Sequence, residues 1–152
     1  MKHPSESFSK QIIEWYEING RKELPWRKEI TPYRVWISEI MLQQTQVKTV
    51  IPYFEKFLGT FPTIQSISSA TEDQILALWS GLGFYRRAQN IFKAKEVIDK
   101  EHHGIFPKTF DDLERLPGIG RSTAGAIMAI AYQQPYPILD ANVKRVIQRY
   151  LK

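Results

Sequence analysis

Apolar positions recur along this chain at helical spacing and almost nowhere at the two-residue spacing of a strand. Phe8, Ile12, Ile13 and Tyr16 predict a first helix that Asn19-Gly20 ends. Leu24-Pro25-Trp26-Arg27 reads as a connector. Thr31-Pro32 supplies a capping hydroxyl followed by proline at the first helical position, and Val35, Trp36, Ile40 and Met41 then form an apolar stripe. Val47, Val50, Ile51, Phe54 and Phe57 predict the next helix, broken by Gly59 and Pro62. Thr71-Glu72-Asp73 caps a short helix with Ile75, Leu76 and Leu78, which Gly81-Leu82-Gly83 separates from a longer one from about Tyr85 to Glu101. Asp111, Leu113 and Leu116 belong to one further helix and Ala124 to Ala131 to another. A last helix starts at about Asn142 with Val143, Val146, Ile147 and Tyr150. No alternating run, repeat or low-complexity linker interrupts the series, so the expected fold class is all-α, with Trp26, Trp36 and Trp79 in its core.

Between two of these helices lies Leu116-Pro117-Gly118-Ile119-Gly120-Arg121-Ser122-Thr123-Ala124-Gly125, which reads as helix, hairpin, helix over about residues 109–132. Two glycines let the backbone approach a ligand with its N–H groups outward, and the helix opening at Arg121 or Ser122 adds a positive N-terminal end. Such a unit suits a phosphate, and the same residues also fit an ordinary turn.

Composition narrows the picture. The 152 residues are 43% hydrophobic and 24% charged, ordinary for one globular domain. Twenty-one Lys and Arg against sixteen Asp and Glu give a net charge of +5, which favours a polyanionic partner. Arg86, Arg87, Lys93, Arg121, Lys144, Arg145 and Arg149 lie close to the motifs and predict a basic face. Without Cys there is neither a disulfide framework nor a thiolate metal site, and His3, His102 and His103 lack metal-ligand spacing. No apolar signal core or membrane-length run is present, which predicts a cytoplasmic, nucleoid-associated location and no membrane partner. The final helix reaches Lys152 with no closing Gly, Pro or polar tail, the pattern expected of a chain cut short.

Two carboxylates stand out. Asp140 follows Pro137-Ile138-Leu139 just before a helix start, where an acid is often only an N-cap; Asn142 is an equally good cap, which leaves Asp140 for other work. A helix N-terminus favours the anionic form that a nucleophile or a stabiliser of positive charge needs. Glu39 sits among Trp36, Ile37, Ile40, Met41 and Leu42, where desolvation would raise its pKa and keep a proton available; a surface or salt-bridged glutamate is the plain alternative. Unlike carboxylates in one cleft suit cleavage of a glycosidic bond through an oxocarbenium-like transition state. Gln43-Gln44-Thr45-Gln46 fits a polar helix end or a loop inserting amides among bases, and Phe84-Tyr85 before Arg86-Arg87 suits stacking or wedging.

Together, Leu24-Pro25-Trp26-Arg27, the run from Trp36 to Val47, Gly81-Leu82-Gly83-Phe84-Tyr85, the hairpin and Leu139-Asp140-Ala141-Asn142-Val143 resemble the adenine DNA glycosylases, the A/G-specific mismatch enzymes of the helix-hairpin-helix superfamily. The resemblance covers nearly all of the chain, in order and with matching spacing. It implies a six-helix barrel over 23–136, flanked by an N-terminal helix (1–22) and the start (137–152) of a second, truncated lobe. It also implies that Glu39 protonates a flipped adenine and that Asp140 stabilises or traps the sugar cation. Arg27, Ser122 and Asn142 are then pocket residues, Asn142 orienting Asp140. Leu42, Gln43, Gln44, Thr45, Phe84, Tyr85, Arg86, Leu116, Gly118, Gly120 and Arg121 would meet DNA, with Phe84 replacing the tyrosine usual at the wedge. The implied partner of this monomer is double-stranded DNA with adenine opposite 8-oxoguanine or guanine.

The family also carries a 4Fe-4S cluster on four cysteines in the second lobe, which this chain, having none, cannot bind. The N-terminal and Asp140 helices should then expose apolar surface. Two other readings fit: a non-catalytic helix-hairpin-helix DNA-binding fragment, and a glycosylase for thymine or oxidised pyrimidine. Glu39 favours adenine, because a purine leaving group gains from protonation at N7. Ser122 stands where endonuclease III has its Schiff-base lysine and thymine-mismatch relatives commonly a tyrosine, so the expected enzyme is monofunctional. Borohydride treatment with abasic DNA should therefore give no robust trapped complex; a strong covalent band would overturn this.

Overall fold

The computed structural model describes residues 4–152, and among them all regular structure is helical: α1 (Pro4–Asn19), α2 (Pro25–Lys28), α3 (Pro32–Leu42), α4 (Val47–Thr60), α5 (Ile64–Ser68), α6 (Glu72–Trp79), α7 (Arg86–Glu101), α8 (Phe110–Glu114), α9 (Arg121–Ile130) and α10 (Ala141–Tyr150). Four threonines set helix starts. Thr31 accepts from the Arg34 N–H at 3.1 Å, Thr109 accepts from Asp112, and Thr63 and Thr71 each form a reciprocal capping box, with Ser66 and Gln74.

Three elements depart from the sequence reading. The Thr63–Ser66 box starts α5, whose Ile64 and Ile67 are buried. The expected connector at Leu24–Arg27 contains the single turn α2, which Pro25 opens. Helix α4 runs through Gly59 to Thr60, because burial of Phe57, Leu58 and Phe61 outweighs the weak helix propensity of one glycine.

Helix α3 is the axis of the core. It buries Tyr33, Val35, Trp36, Ile37, Ser38, Ile40 and Met41, so it is enclosed on most sides, packing on α2, α4 and α9. The long α7 packs on α5 and α6, and α8 on α9. Trp36 and Trp79 are fully buried, as are Phe54 and Phe57, each contributing about 1.5–3 kcal/mol through lost water contact. Trp26 is half-buried, its ring edge-on to Phe54 at 5.5 Å.

The two end helices stand apart from this core. Helix α10 buries no residue, and Ile12, Ile13, Trp15, Ile18, Leu139, Val146 and Tyr150 are exposed, the apolar surface expected there. The Phe8 and Tyr150 rings meet with centroids 4.2 Å apart, so α1 and α10 touch.

The hairpin between α8 and α9 uses its glycines unequally. Gly118 has φ +80°, and a Cβ there would lie 2.8 Å from Asn90 Cβ of α7. Gly120 has an ordinary φ of −90°, and a Cβ there would meet nothing. Gly118→Ala should therefore lower stability by about 2–4 kcal/mol, through backbone strain plus overpacking. Gly120→Ala should cost less than about 1 kcal/mol, the loss of a preferred N-cap residue. Urea unfolding of both variants checks this, and equal losses would refute it.

Candidate functional site

A cleft of about 960 Å³ opens where the ends of five segments converge. The end of α3 contributes Glu39 and Leu42, and the loop after it Gln43, Gln44, Thr45 and Gln46. Val47 follows at the start of α4. The turn before α7 adds Phe84 and Tyr85, and α7 itself Arg86, Arg87 and Asn90. Ser122 and Thr123 come from the first turn of α9, and Ile138, Asp140, Ala141 and Asn142 from the segment entering α10.

Packing of α3 on α9 places Glu39 beside the first turn of α9. What then brings Asp140 in is a missing side chain. Gly125 of α9 lies so close to the chain leading into α10 that a Cβ would sit 2.8 Å from the Pro137 carbonyl oxygen, and only glycine permits this approach. The two carboxylates, distant in sequence, therefore share one cleft. Glu39 is pushed up to about 7, first because burial disfavours its charged form and second because Asp140 adds a like charge nearby. Among the described residues no hydrogen bond or salt bridge from a cationic side chain offsets either effect. Glu39 can thus hold a proton near neutral pH and give it to a basic atom that enters the cleft.

Asp140 differs from the sequence expectation. It is the N-cap of α10, accepting from the Val143 N–H at 2.8 Å on Oδ1, whereas Asn142 is already inside the helix. Asn142 lines the cleft, but its Oδ1 accepts from Arg145 at 2.8 Å rather than engaging Asp140.

Other expected residues are sorted by burial. Leu116 is 2% exposed and its side chain packs in the core, with its N–H bonded to Leu113 and its carbonyl to Ile119. Arg27 lies outside the cleft, its guanidinium 5.2 Å from the centre of the Tyr16 ring. Arg121, Gly118 and Gly120 are exposed on the hairpin beside the cleft and do not line it. No side chain caps α9, which leaves the N–H groups of its first turn without a capping acceptor. Phe84 and Tyr85 are exposed at the rim, and Gln44 and Phe84 both have left-handed backbone, φ +54° and +49°.

Arg87, expected on a basic face, is 8% exposed. On α7 it shares a helix face with Ile91, Ala94 and Ile98, and that spacing was the available signal. Asn90, Thr123 and Gly125, none singled out from sequence, also shape the cleft or its approach. Among the described residues no cluster of three His, Cys, Asp or Glu could hold a metal ion, and no helix is long and apolar enough to cross a membrane.

Comparison with known proteins gives the following. The profile of the HhH-GPD superfamily base excision DNA repair proteins matches residues 37–152. A protein of Buchnera aphidicola subsp. Schizaphis graminum named adenine DNA glycosylase is 58% identical over 143 residues, 94% of this chain and 41% of that protein. A rat protein of the same name is 40% identical over 152 residues, covering 94% of this chain and 29% of that protein. The chain thus spans well under half the length of these curated relatives. Among solved structures, a thermostable thymine-DNA glycosylase superposes with a TM-score of 0.86 at 26% identity, over 93% of this chain and 65% of the other.

The raised Glu39 has a consequence for stability. Its ordinary value is 4.5 and its value in the fold about 7, so between these pH values the folded protein holds a proton that the unfolded chain has released. Stability should fall as pH rises across that window, by about 3 kcal/mol in all. In Glu39→Gln that fall should be absent. Urea unfolding across the window checks it, and identical pH profiles for the two proteins would show that Glu39 titrates normally.

Proposed function

The chain belongs to the HhH-GPD superfamily of base excision DNA repair proteins, and we propose that its cleft hydrolyses the N-glycosidic bond of adenine mispaired with 8-oxoguanine or guanine in duplex DNA. The observation that carries the proposal is the convergence of Glu39 and Asp140 on one cleft, with Glu39 raised to about 7.

Neither carboxylate can reach the glycosidic bond or N7 of a stacked purine, so the nucleotide must first leave the helix, at an unstacking cost smallest for a mispair. The exposed Phe84 ring, with Gln44 and Leu42, is the wedge that fills the gap. The backbone at Gly118 and Gly120 and the uncapped start of α9 hold a phosphate beside the site. Protonated Glu39 gives its proton to adenine N7, which withdraws electrons from the C1′–N9 bond. That bond breaks, its electron pair leaves with adenine, and positive charge develops on the sugar. The Asp140 carboxylate stabilises or briefly traps that cation. Water then adds at C1′, displacing the Asp140 oxygen where a bond to it has formed, and its proton passes to the Glu39 carboxylate, leaving an abasic site and both side chains as they began.

Ser122 has no amine for a Schiff base, which supports hydrolysis without strand cleavage. Thymine offers no N7, so the acidic proton of Glu39 favours a purine over the substrate in the structural neighbour's name. The residues do not fit an iron–sulphur cluster, since the chain has no cysteine, and no step here runs through one.

Single-turnover release of adenine from a duplex bearing adenine opposite 8-oxoguanine tests the proposal. Glu39→Gln and Asp140→Asn should each slow release by about 100-fold or more, the usual range for losing a positioned acid or charge stabiliser. Asn is as good an N-cap as Asp, so the second loss would not reflect an uncapped α10. Release unaffected by both substitutions would refute the assignment, and wild-type binding without release would establish a DNA-binding module instead.

A further inference from the structure

Arg87 is a buried cation with no carboxylate partner among the described residues; its bonds go to main-chain carbonyls. Nη1 donates to the carbonyls of Ile40 at 3.0 Å and Met41 at 2.8 Å at the end of α3, and of Gln43 just beyond it at 2.7 Å; the Ile40 carbonyl also accepts from the Gln43 N–H. Nη2 donates to Gly83 at 3.1 Å and Nε to Phe84 at 3.4 Å. The guanidinium lies over the Trp79 ring, at 5.3 Å, and near the Phe84 ring, at 5.5 Å.

Two of these acceptors matter together. The Gln43 carbonyl belongs to the peptide preceding Gln44, and the Gly83 carbonyl to the peptide preceding Phe84. Gln44 and Phe84 are the two left-handed non-glycine residues that line the cleft. Since φ is the rotation between a residue and the peptide before it, holding that peptide plane fixes one side of the rotation, and at Phe84 the Nε bond to its own carbonyl holds the other side. Each left-handed residue costs about 1–3 kcal/mol and persists only where its surroundings over-determine it. Trp79 Nε1–H also donates to the Gly83 carbonyl and Thr45 Oγ1–H to the Gln43 carbonyl, each within its own loop, whereas one planar fork restrains both loops and fixes their separation.

We propose that Arg87 is a positioning residue that locks Gln44 and Phe84 as a single preformed wedge, so that the two side chains enter the base stack together. The inference rests on the glycosylase reading above, in which these two side chains fill the place of the flipped nucleotide. Lysine keeps the charge but not the fork, so Arg87→Lys separates geometry from electrostatics.

The test uses the full protein and a duplex with 2-aminopurine as the target base, whose fluorescence rises on unstacking. Arg87→Lys should reduce that rise by at least about threefold and, on the duplex bearing adenine opposite 8-oxoguanine, single-turnover adenine release by at least about tenfold, with affinity for undamaged duplex changed less than about threefold, since no phosphate-facing charge is lost. In a Gln44→Ala/Phe84→Ala background the same substitution should have almost no further effect on unstacking, because residues acting as one unit are not additive. A merely structural role predicts equal effects in both backgrounds, and that result, or an undiminished fluorescence rise in Arg87→Lys, overturns the inference. Should the variant not fold, amide exchange of the wild type decides: protection at residues 43–46 and 83–86 agreeing within about tenfold supports the lock, and a larger difference overturns it. A wild type that unstacks the probe without releasing adenine would count against the glycosylase reading alone.

Discussion

The contact on which the site depends is the approach of the Pro137 carbonyl to Gly125. Helix α9 is already fixed by its packing on α3, which sets Glu39 against the start of α9. The segment from Pro135 buries no side chain completely; Tyr136 stacks on Phe110 with ring centroids 5.0 Å apart and Ile138 is half-buried, while the helix it enters buries nothing. The missing Cβ at Gly125 lets that segment lie directly on α9, and the position of Asp140 follows. A charge brought this near to an already desolvated Glu39 raises it further, so the close approach at Gly125 bears on both the geometry and the protonation of the pair.

Rigid and strained parts divide the cleft. Its floor is the end of α3 and the start of α9, both continuous with the core. Its rim is made of two short loops whose left-handed residues would not hold that shape alone. Trp79 supports one of them, donating to the Gly83 carbonyl at 3.1 Å, and Arg87 supports both. Exposed aromatic and amide side chains can stay on the surface because the backbone beneath them is tied down.

Much of this was legible in the residues. Thr31-Pro32 and Thr71 announced their helices because capping chemistry is local, and Pro117-Gly118 announced the hairpin because Gly118 must turn left-handed. Glu39 and Asp140 stood out by their neighbours, while their meeting was not legible, since it depends on α3 meeting α9 and on Gly125. Arg87 is buried against the expectation from its charge: residue type favours the surface, and the shared face with Ile91, Ala94 and Ile98 favours the core. Leu116 misled in the opposite way, being part of a motif associated with ligand contact while its side chain anchors the motif from below. Local rules could not decide between Asp140 and Asn142 as cap, because both residues suit the task and tertiary contact fixes where α10 begins.

The capping bond of Asp140 joins two processes that are usually separate. Helix α10 has no buried residue to hold its first turn, so the hydrogen bond from the Val143 N–H is a large part of what starts it. The carboxylate that accepts this bond is also the negative charge of the cleft. In the proposed reaction the cation formed in the cleft and the amide at the helix start would draw on the same carboxylate, the amide through Oδ1. On that reading, order in α10 and charge in the site would be linked through one side chain.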